Sequence, residues 1–280
     1  MRHLAMFRVL RLLAITLWLP TASAEPVYSL SVVPQFTPVD IGLRWSPLLA
    51  YLKKETGINL QLRVMERIPK FEADFLAGIP DFVFLNPYHQ VMAMKAHGYE
   101  PLARGGDMLN GILVVDLEGP IKRLADLNGK TLAFPSPNAF GASLYMRALL
   151  AEKEGISITP TYVGTHQNVY RHVLLGEAAA GGGVTATLDK EAAAMRARLA
   201  VLYTTPGVAS HPLAAHPRVP EAVRAKLLAA LLKLDRDPAG RKLLAMVELD
   251  RIHIADYARD YAPLEKLKLD AYTQVAGENR

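Results

Sequence analysis

The stretch from Gly78 to His89 constrains the fold of this chain more than any other. Phe82-Val83-Phe84-Leu85 is a short unbroken apolar run. A sheet with one wet face alternates apolar and polar residues, so such a run predicts a strand buried on both faces of a parallel sheet. Asn86-Pro87 ends it, and Val91-Met92-Ala93-Met94-Lys95-Ala96 resumes at helical composition. In open α/β sheets, ligands sit just beyond the carboxyl ends of the strands. Asn86, Tyr88 and His89 stand at that position, although an ordinary strand-to-helix turn accounts for them equally well.

The flanking sequence repeats the same grammar. Val27 to Val33 reads as a strand, and Leu43 to Thr56 as a helix with Leu48, Leu49 and Leu52 on its apolar side and Gly57 as its stop. Leu60 to Val64 is a second strand, Phe71 to Ala77 a short helix, and Val91 to His97 the helix after the Phe82–Leu85 strand. Alternating strands and helices predict a parallel sheet. A second unit follows, with strands at Ile112–Val115, Thr131–Phe134, Pro160–Val163, Gly181–Val184 and Ala200–Tyr203. Its helices are expected over Ala139–Glu154, stopped by Gly155, and over Val169–Leu175. Pro206 to Pro220 is a Pro- and His-rich return to the first unit, and Glu221 to Leu234 is an amphipathic helix. A further helix starts at Asp237-Pro238-Ala239-Gly240.

The start of the chain stands apart from this pattern. Arg2, Arg8 and Arg11, the apolar run Leu12 to Leu19, Pro20, and the small residues Ala22-Ser23-Ala24 predict a cleavable secretory signal peptide over residues 1–24. Its three arginines carry off much of the formal charge of +5. The rest interleaves acids and bases as a solvated surface does, which argues against nucleic acid as a partner. The sequence has no cysteine, which excludes disulfides, thiolate metal sites, a cysteine nucleophile and a lipid anchor on Cys. With 51% hydrophobic residues the chain can instead hold itself by its core. A soluble periplasmic protein is expected.

Taken in order, Pro47 to Gly57, Asp81 to His89, Leu124-Ala125-Asp126-Leu127-Asn128-Gly129-Lys130, Phe134-Pro135-Ser136-Pro137, Gly164-Thr165-His166 and Asp237 to Gly240 resemble the periplasmic phosphonate-binding proteins of ABC importers. The resemblance covers nearly all of the chain after the leader. It implies an α/β fold of two lobes, a type II periplasmic binding protein. Each lobe would be a mostly parallel sheet flanked by helices, hinged around a central cleft that closes on a small anion. Residues 25–112 with 208–270 would form lobe 1 and 113–207 lobe 2, with 271–280 a flexible tail. An inner-membrane ABC permease would be the partner, or a periplasmic sensor-kinase domain, and the protein would act as a monomer without a cofactor.

The resemblance also assigns contacts. Tyr88 matches the family's cleft tyrosine, and His166 the histidine that meets an anionic oxygen. The segment from Ser136 to Ser143 follows a strand and opens a helix, whose free amides around Phe140 and Gly141 favour an anion; Asn138 is its expected N-cap. His89, Thr165 and Ser143 complete the candidate set. Three features depart from the family. Its run of hydroxyl residues falls on Asn138, Ala139 and Phe140, its early cleft tyrosine near Ile68, and a late acidic residue near Ala180. Each charge-assisted hydrogen bond so lost is worth about 1.5–3 kcal/mol. The expected cleft is therefore more aromatic and less hydroxylated than the family's type.

Catalysis finds little support. Gly141-Ala142-Ser143-Leu144-Tyr145 lacks the second glycine of a nucleophile elbow, and no H-E-x-x-H or close His/carboxylate cluster points to a metal. His211 and His216 read as surface or structural residues of a Pro-rich loop. Asp250, His253 and Asp256 read as a solvated helix face.

Overall fold

The computed structural model describes residues 26–274. The expected leader and the last six residues of the expected tail lie outside them. Strand β1 (Val27–Val32) leads through helix α1 (Pro38–Thr56) to β2 (Asn59–Val64), then through α2 (Ile68–Leu76) to β3 (Phe82–Phe84). α3 (Pro87–His97) and β4 (Glu100–Arg104) follow, and β5 (Met108–Leu109) crosses to a second unit. That unit holds β6 (Gly111–Asp116), β7 (Thr131–Phe134) and a helical rod made of a π-turn at Phe140–Leu144, α4 (Tyr145–Ala148) and a second π-turn at Leu149–Lys153. Then come β8 (Thr159–Tyr162), α5 (His166–Leu174), β9 (Ala180–Val184), α6 (Thr185–Asp189), α7 (Ala193–Arg196) and β10 (Leu199–Thr204). β11 (Val208–Ala209) crosses back, followed by β12 (Pro212–Ala215), α8 (Glu221–Leu234), α9 (Pro238–Met246), β13 (His253–Ile254) and α10 (Tyr257–Asp260).

Two sheets result, ordered β13-β4-β12-β3-β1-β2 and β10-β6-β9-β7-β8. Where strands alternate with helices, pairing is parallel, as in β1 with β2 and β3 and β7 with β8 and β9. Where the chain doubles back, β12, β13, β6 and β10 pair antiparallel, so both sheets are mixed. The two crossings meet as a ribbon of their own, β5 with β11.

Local chemistry explains the helix starts. Thr37 caps α1 by accepting from the Asp40 amide, and Pro38 begins it, so α1 opens five residues before its first expected residue, Leu43. Asn86 caps α3 in the same way through the His89 amide at 2.7 Å, with Pro87 first in the helix. Gly57 closes α1 in the left-handed conformation, its amide bonding the Lys53 carbonyl. Asn138 does not cap its helix: the N-cap is Ala139, without a side-chain bond. The Asn138 amide is occupied by the Gln274 backbone instead, at 2.8 and 3.0 Å. That contact also corrects the start of the expected flexible tail. Residues 269–272 form a 3-10 turn, and the Tyr272 carbonyl accepts from Arg147 at 2.7 Å.

The Pro-rich return contains strand β12, seated between β3 and β4 in the middle of the first sheet. Pro212 is its first residue, one of the few strand positions open to proline. His211 immediately before it is buried. His216 stays half-exposed and caps the Arg218 amide. Asp250, His253 and Asp256 lie in a loop, an edge strand and an N-cap rather than on one helix face.

Candidate ligand-binding site

Two glycines decide where the site lies. A Cβ on Gly182 in β9 would sit 1.9 Å from the Ala142 carbonyl oxygen, and one on Gly111 in β6 would sit 2.1 Å from that of Gly141. Their bare backbones let the start of the helical rod lie flat on the second sheet. Phe140, Gly141 and Ala142 thereby reach the space between the sheets. From the first sheet, the residue after β1, the turn after β3 and the residue before β12 reach the same space.

An inner cavity of about 20 Å³ lies there, walled by Gln35, Asn86, His211 and Ile68 from one side and by Phe140, Gly141 and His166 from the other. That is room for about one water-sized group. Its remaining walls are apolar. Ile68, near which the resemblance leads us to expect a departure from a cleft tyrosine, is part of them. The amides of Phe140, Gly141 and Ala142 open the helical rod and bond no loop or strand carbonyl among the described residues.

The histidines here are neutral at neutral pH. His166 is the first residue of α5, behind Thr165, whose hydroxyl caps the helix through the Asn168 amide at 3.2 Å. Burial lowers the His166 pKa to about 4; Glu248 opposes that shift and His211 adds to it. The Thr187 hydroxyl donates to the Val184 carbonyl at 2.9 Å, so it accepts from the Tyr170 hydroxyl at 2.8 Å and from His166 Nδ1 at 3.2 Å. His166 Nε2 is left with a lone pair. His211 is also brought to about 4 by burial against the pull of Glu248. Its ring stacks on Phe84, and its Nε2 accepts from the Gln35 amide at 2.8 Å.

Glu248 stands behind both rings with its backbone in the left-handed region, φ 63°. Strain of this kind in a residue other than glycine is concentrated at functional positions. Burial pushes the Glu248 carboxyl up, but His211, Lys190 and His166 outweigh it and hold the pKa below the ordinary value. Its carboxylate accepts from Lys190 Nζ at 2.9 Å, a bond that joins the two units. Asn86 Nδ2 makes a second such bond, to the Asn138 carbonyl at 3.2 Å.

Between the same units, an outer chamber of about 230 Å³ shares Gln35 and His166 with the inner one. Phe36, Arg44, Thr165, Gln167 and Lys190 line it, among others.

Of the sequence candidates, Phe140, Gly141 and His166 line the inner cavity, and Thr165 and His166 line the outer chamber. The others face elsewhere. The Tyr88 hydroxyl donates to Asp270, and burial followed by that carboxylate pushes its pKa well up. His89 is buried between Phe71 and Phe75, with Nε2 donating to Glu72 at 2.9 Å. Ser143 accepts from Arg147 Nε at 3.1 Å. Asn138 reaches the cleft only through its carbonyl. Sequence reasoning missed Gln35, His211, Lys190 and Glu248. Only His211 carried a signal, a histidine beside a short apolar run in a loop.

A family model described as ABC transporter, phosphonate, periplasmic substrate-binding protein matches residues 30–261. The chain belongs to this family. Phosphate-import protein PhnD of Mycolicibacterium smegmatis is 25% identical over 195 residues, 61% of this chain and 59% of that protein. The match thus spans little more than half the length of that curated relative. Among solved structures, PhnD1 of Prochlorococcus marinus in complex with methylphosphonate superposes with a TM-score of 0.78 at 16% identity, covering 88% of this chain and 98% of that one. The binding component of an ABC phosphonate transporter from Pseudomonas aeruginosa gives 0.76 at 14%, over 88% and 86%. A protein of Xanthomonas citri bound to chloride ion gives 0.73 at 19%, over 88% and 99%. At such identities the likeness is one of fold, that of the two-lobed phosphonate-binding family.

Proposed function

We propose that this chain captures a small anion of the oxyanion or phosphonate class between its two lobes and hands it to an inner-membrane permease. It would act in the periplasm, as a monomer and without catalysis. The observation that carries this reading is the inner cavity, where free amides at the start of the helical rod and the His166 ring from one lobe face Gln35, Asn86 and His211 from the other. A ligand touching both lobes binds the closed arrangement better than an open one, and only such a difference can drive closure. The neutral histidines and bare amides suit a singly charged oxyacid. Its remaining hydroxyl would donate to His166 Nε2 while its oxygens accept from the amides.

A thermal-shift screen of the purified protein, unfolded and refolded to strip carried solute, tests this with phosphate, phosphite, methylphosphonate, sulfate and simple carboxylates. Binding to the native form alone raises the melting temperature by mass action. An oxyanion that raises it, with the rise reduced in the His166→Ala variant, supports capture at this site. A folded protein unmoved by every anion at millimolar concentration overturns it.

A further inference from the structure

We infer that the outer chamber is part of the solute site and seats a second acidic group, so that the chain prefers an elongated anion with two acidic ends to a compact oxyanion. This rests on the capture reading above. Size is the first reason. The inner cavity has room for about one water-sized group, whereas the chamber beside it, across Gln35 and His166, offers about 230 Å³. A single phosphonate, larger than the inner cavity, would reach into that space and leave most of it to water.

Charge is the second. No Lys, Arg, Asp or Glu lines the inner cavity. The outer chamber has Arg44, Lys190, Asp40 and Glu191 in its walls. Three of these are engaged: Lys190 with Glu248 at 2.9 Å, Asp40 with the Thr37 hydroxyl at 2.7 Å, and Glu191 with the Gln167 amide at 3.4 Å. Arg44 has no carboxylate or hydrogen-bond partner among the described residues. Its guanidinium carbon lies 4.1 Å from the centre of the Phe36 ring, and Lys190 Nζ lies 5.0 Å from the same centre. A guanidinium held over an aromatic face keeps its paired N–H donors free for a carboxylate or phosphonate.

Helix geometry points the same way from both lobes. The N-caps of α1 and α5, Thr37 and Thr165, both line the chamber, so two helix N-termini open onto it. Asp40, in the first turn of α1, offsets part of that potential. The solute that fits is a short-chain phosphonate with a carboxylate or second phosphonate at its far end.

Calorimetric titration with propylphosphonate and 3-phosphonopropanoate, which differ in the terminal acid, tests the inference, with methylphosphonate as the compact reference. 3-Phosphonopropanoate should bind at least tenfold more tightly than propylphosphonate. That ratio should fall several-fold in Arg44→Gln and, independently, in Gln167→Glu, which adds a negative charge on an exposed wall residue. Equal affinities, or a ratio untouched by both variants, would overturn the inference while methylphosphonate binding left the capture reading intact. A folded protein that binds none of the three would remove both.

Discussion

His166 and His211 show how burial, rather than residue type, sets chemistry at the scale of one side chain. Each has its pKa pulled from 6.5 to about 4. Between those values the unfolded chain binds protons that the native state refuses, so stability is full above about pH 6.5 and falls as the pH drops toward 4. At pH 5 the loss is on the order of 2 kcal/mol per histidine. Glu248 acts at the lower end of that window: its depressed pKa adds stability that fades as the pH falls below the ordinary carboxylate range. Urea unfolding at pH 7 and pH 5 should show wild type losing clearly more stability than His211→Gln over the same interval. Equal losses would mean that His211 titrates alike in the native and unfolded states, so that burial does not shift it. His89 is the contrasting case. The Glu72 carboxylate and two phenylalanine rings hold it inside the first lobe, away from the cleft.

Among the elements, the helical rod over 140–153 and the strand Ala180–Val184 belong together. The run Gly181-Gly182-Gly183 reads in the sequence as a weak strand, because glycine costs backbone entropy and offers nothing to bury. In the fold Gly182 is the bed on which the rod rests, while Gly181 and Gly183 let α5 pack close on the opposite face. Gly182→Ala would drive a methyl group into the Ala142 carbonyl. The expected cost is about 3 kcal/mol, which lowers the melting temperature by roughly 10 °C in a chain of this size. It should also displace the amides of Phe140 to Ala142, so ligand-induced stabilisation should shrink. A melting temperature within a degree or two of wild type would show that the rod has slack.

Across the whole molecule, few direct bonds between described residues hold the lobes together on the cleft side. Lys190 to Glu248 is the charged one, with side chains 27% and 15% exposed. Partial burial puts its net worth at about 1–3 kcal/mol, and 1.4 kcal/mol is already a tenfold shift between closed and open populations. The ribbon of β5 with β11, where the chain crosses twice, would be the hinge of the proposed closure. In Lys190→Met, small-angle X-ray scattering of the unliganded protein should give a larger radius of gyration than wild type, with saturating ligand restoring the wild-type value. An unchanged radius in the unliganded variant would show that the ion pair does not hold the cleft shut.

The alternation of Phe82–Leu85, the helices around it and the second set of strands already implied the α/β architecture, because period and caps are local properties of the chain. The strand-to-helix turn at Gly164-Thr165-His166 and the helix opening at Phe140-Gly141 were legible for the same reason, and they carry part of the candidate site. Tyr88, His89, Asn138 and Ser143 occupy such turns too, yet their side chains face other partners. Position along a strand or helix does not say which way a side chain turns once its neighbours are chosen. Gln35, His211 and Glu248 come from segments far apart in sequence that meet when the first lobe folds, and Lys190 joins them only when the second lobe faces it. Apart from the weak signal at His211, nothing local marks them, since burial, which neutralises the histidines, and the strained backbone of Glu248 are products of tertiary contact. Arg44 and Phe36 likewise drew no attention in the sequence, and only the chamber between the lobes gives their charge and ring a common face. Local periodicity thus specified the elements, and long-range contact between the lobes decided the site, because desolvation and charge pairing depend on what the rest of the chain brings alongside.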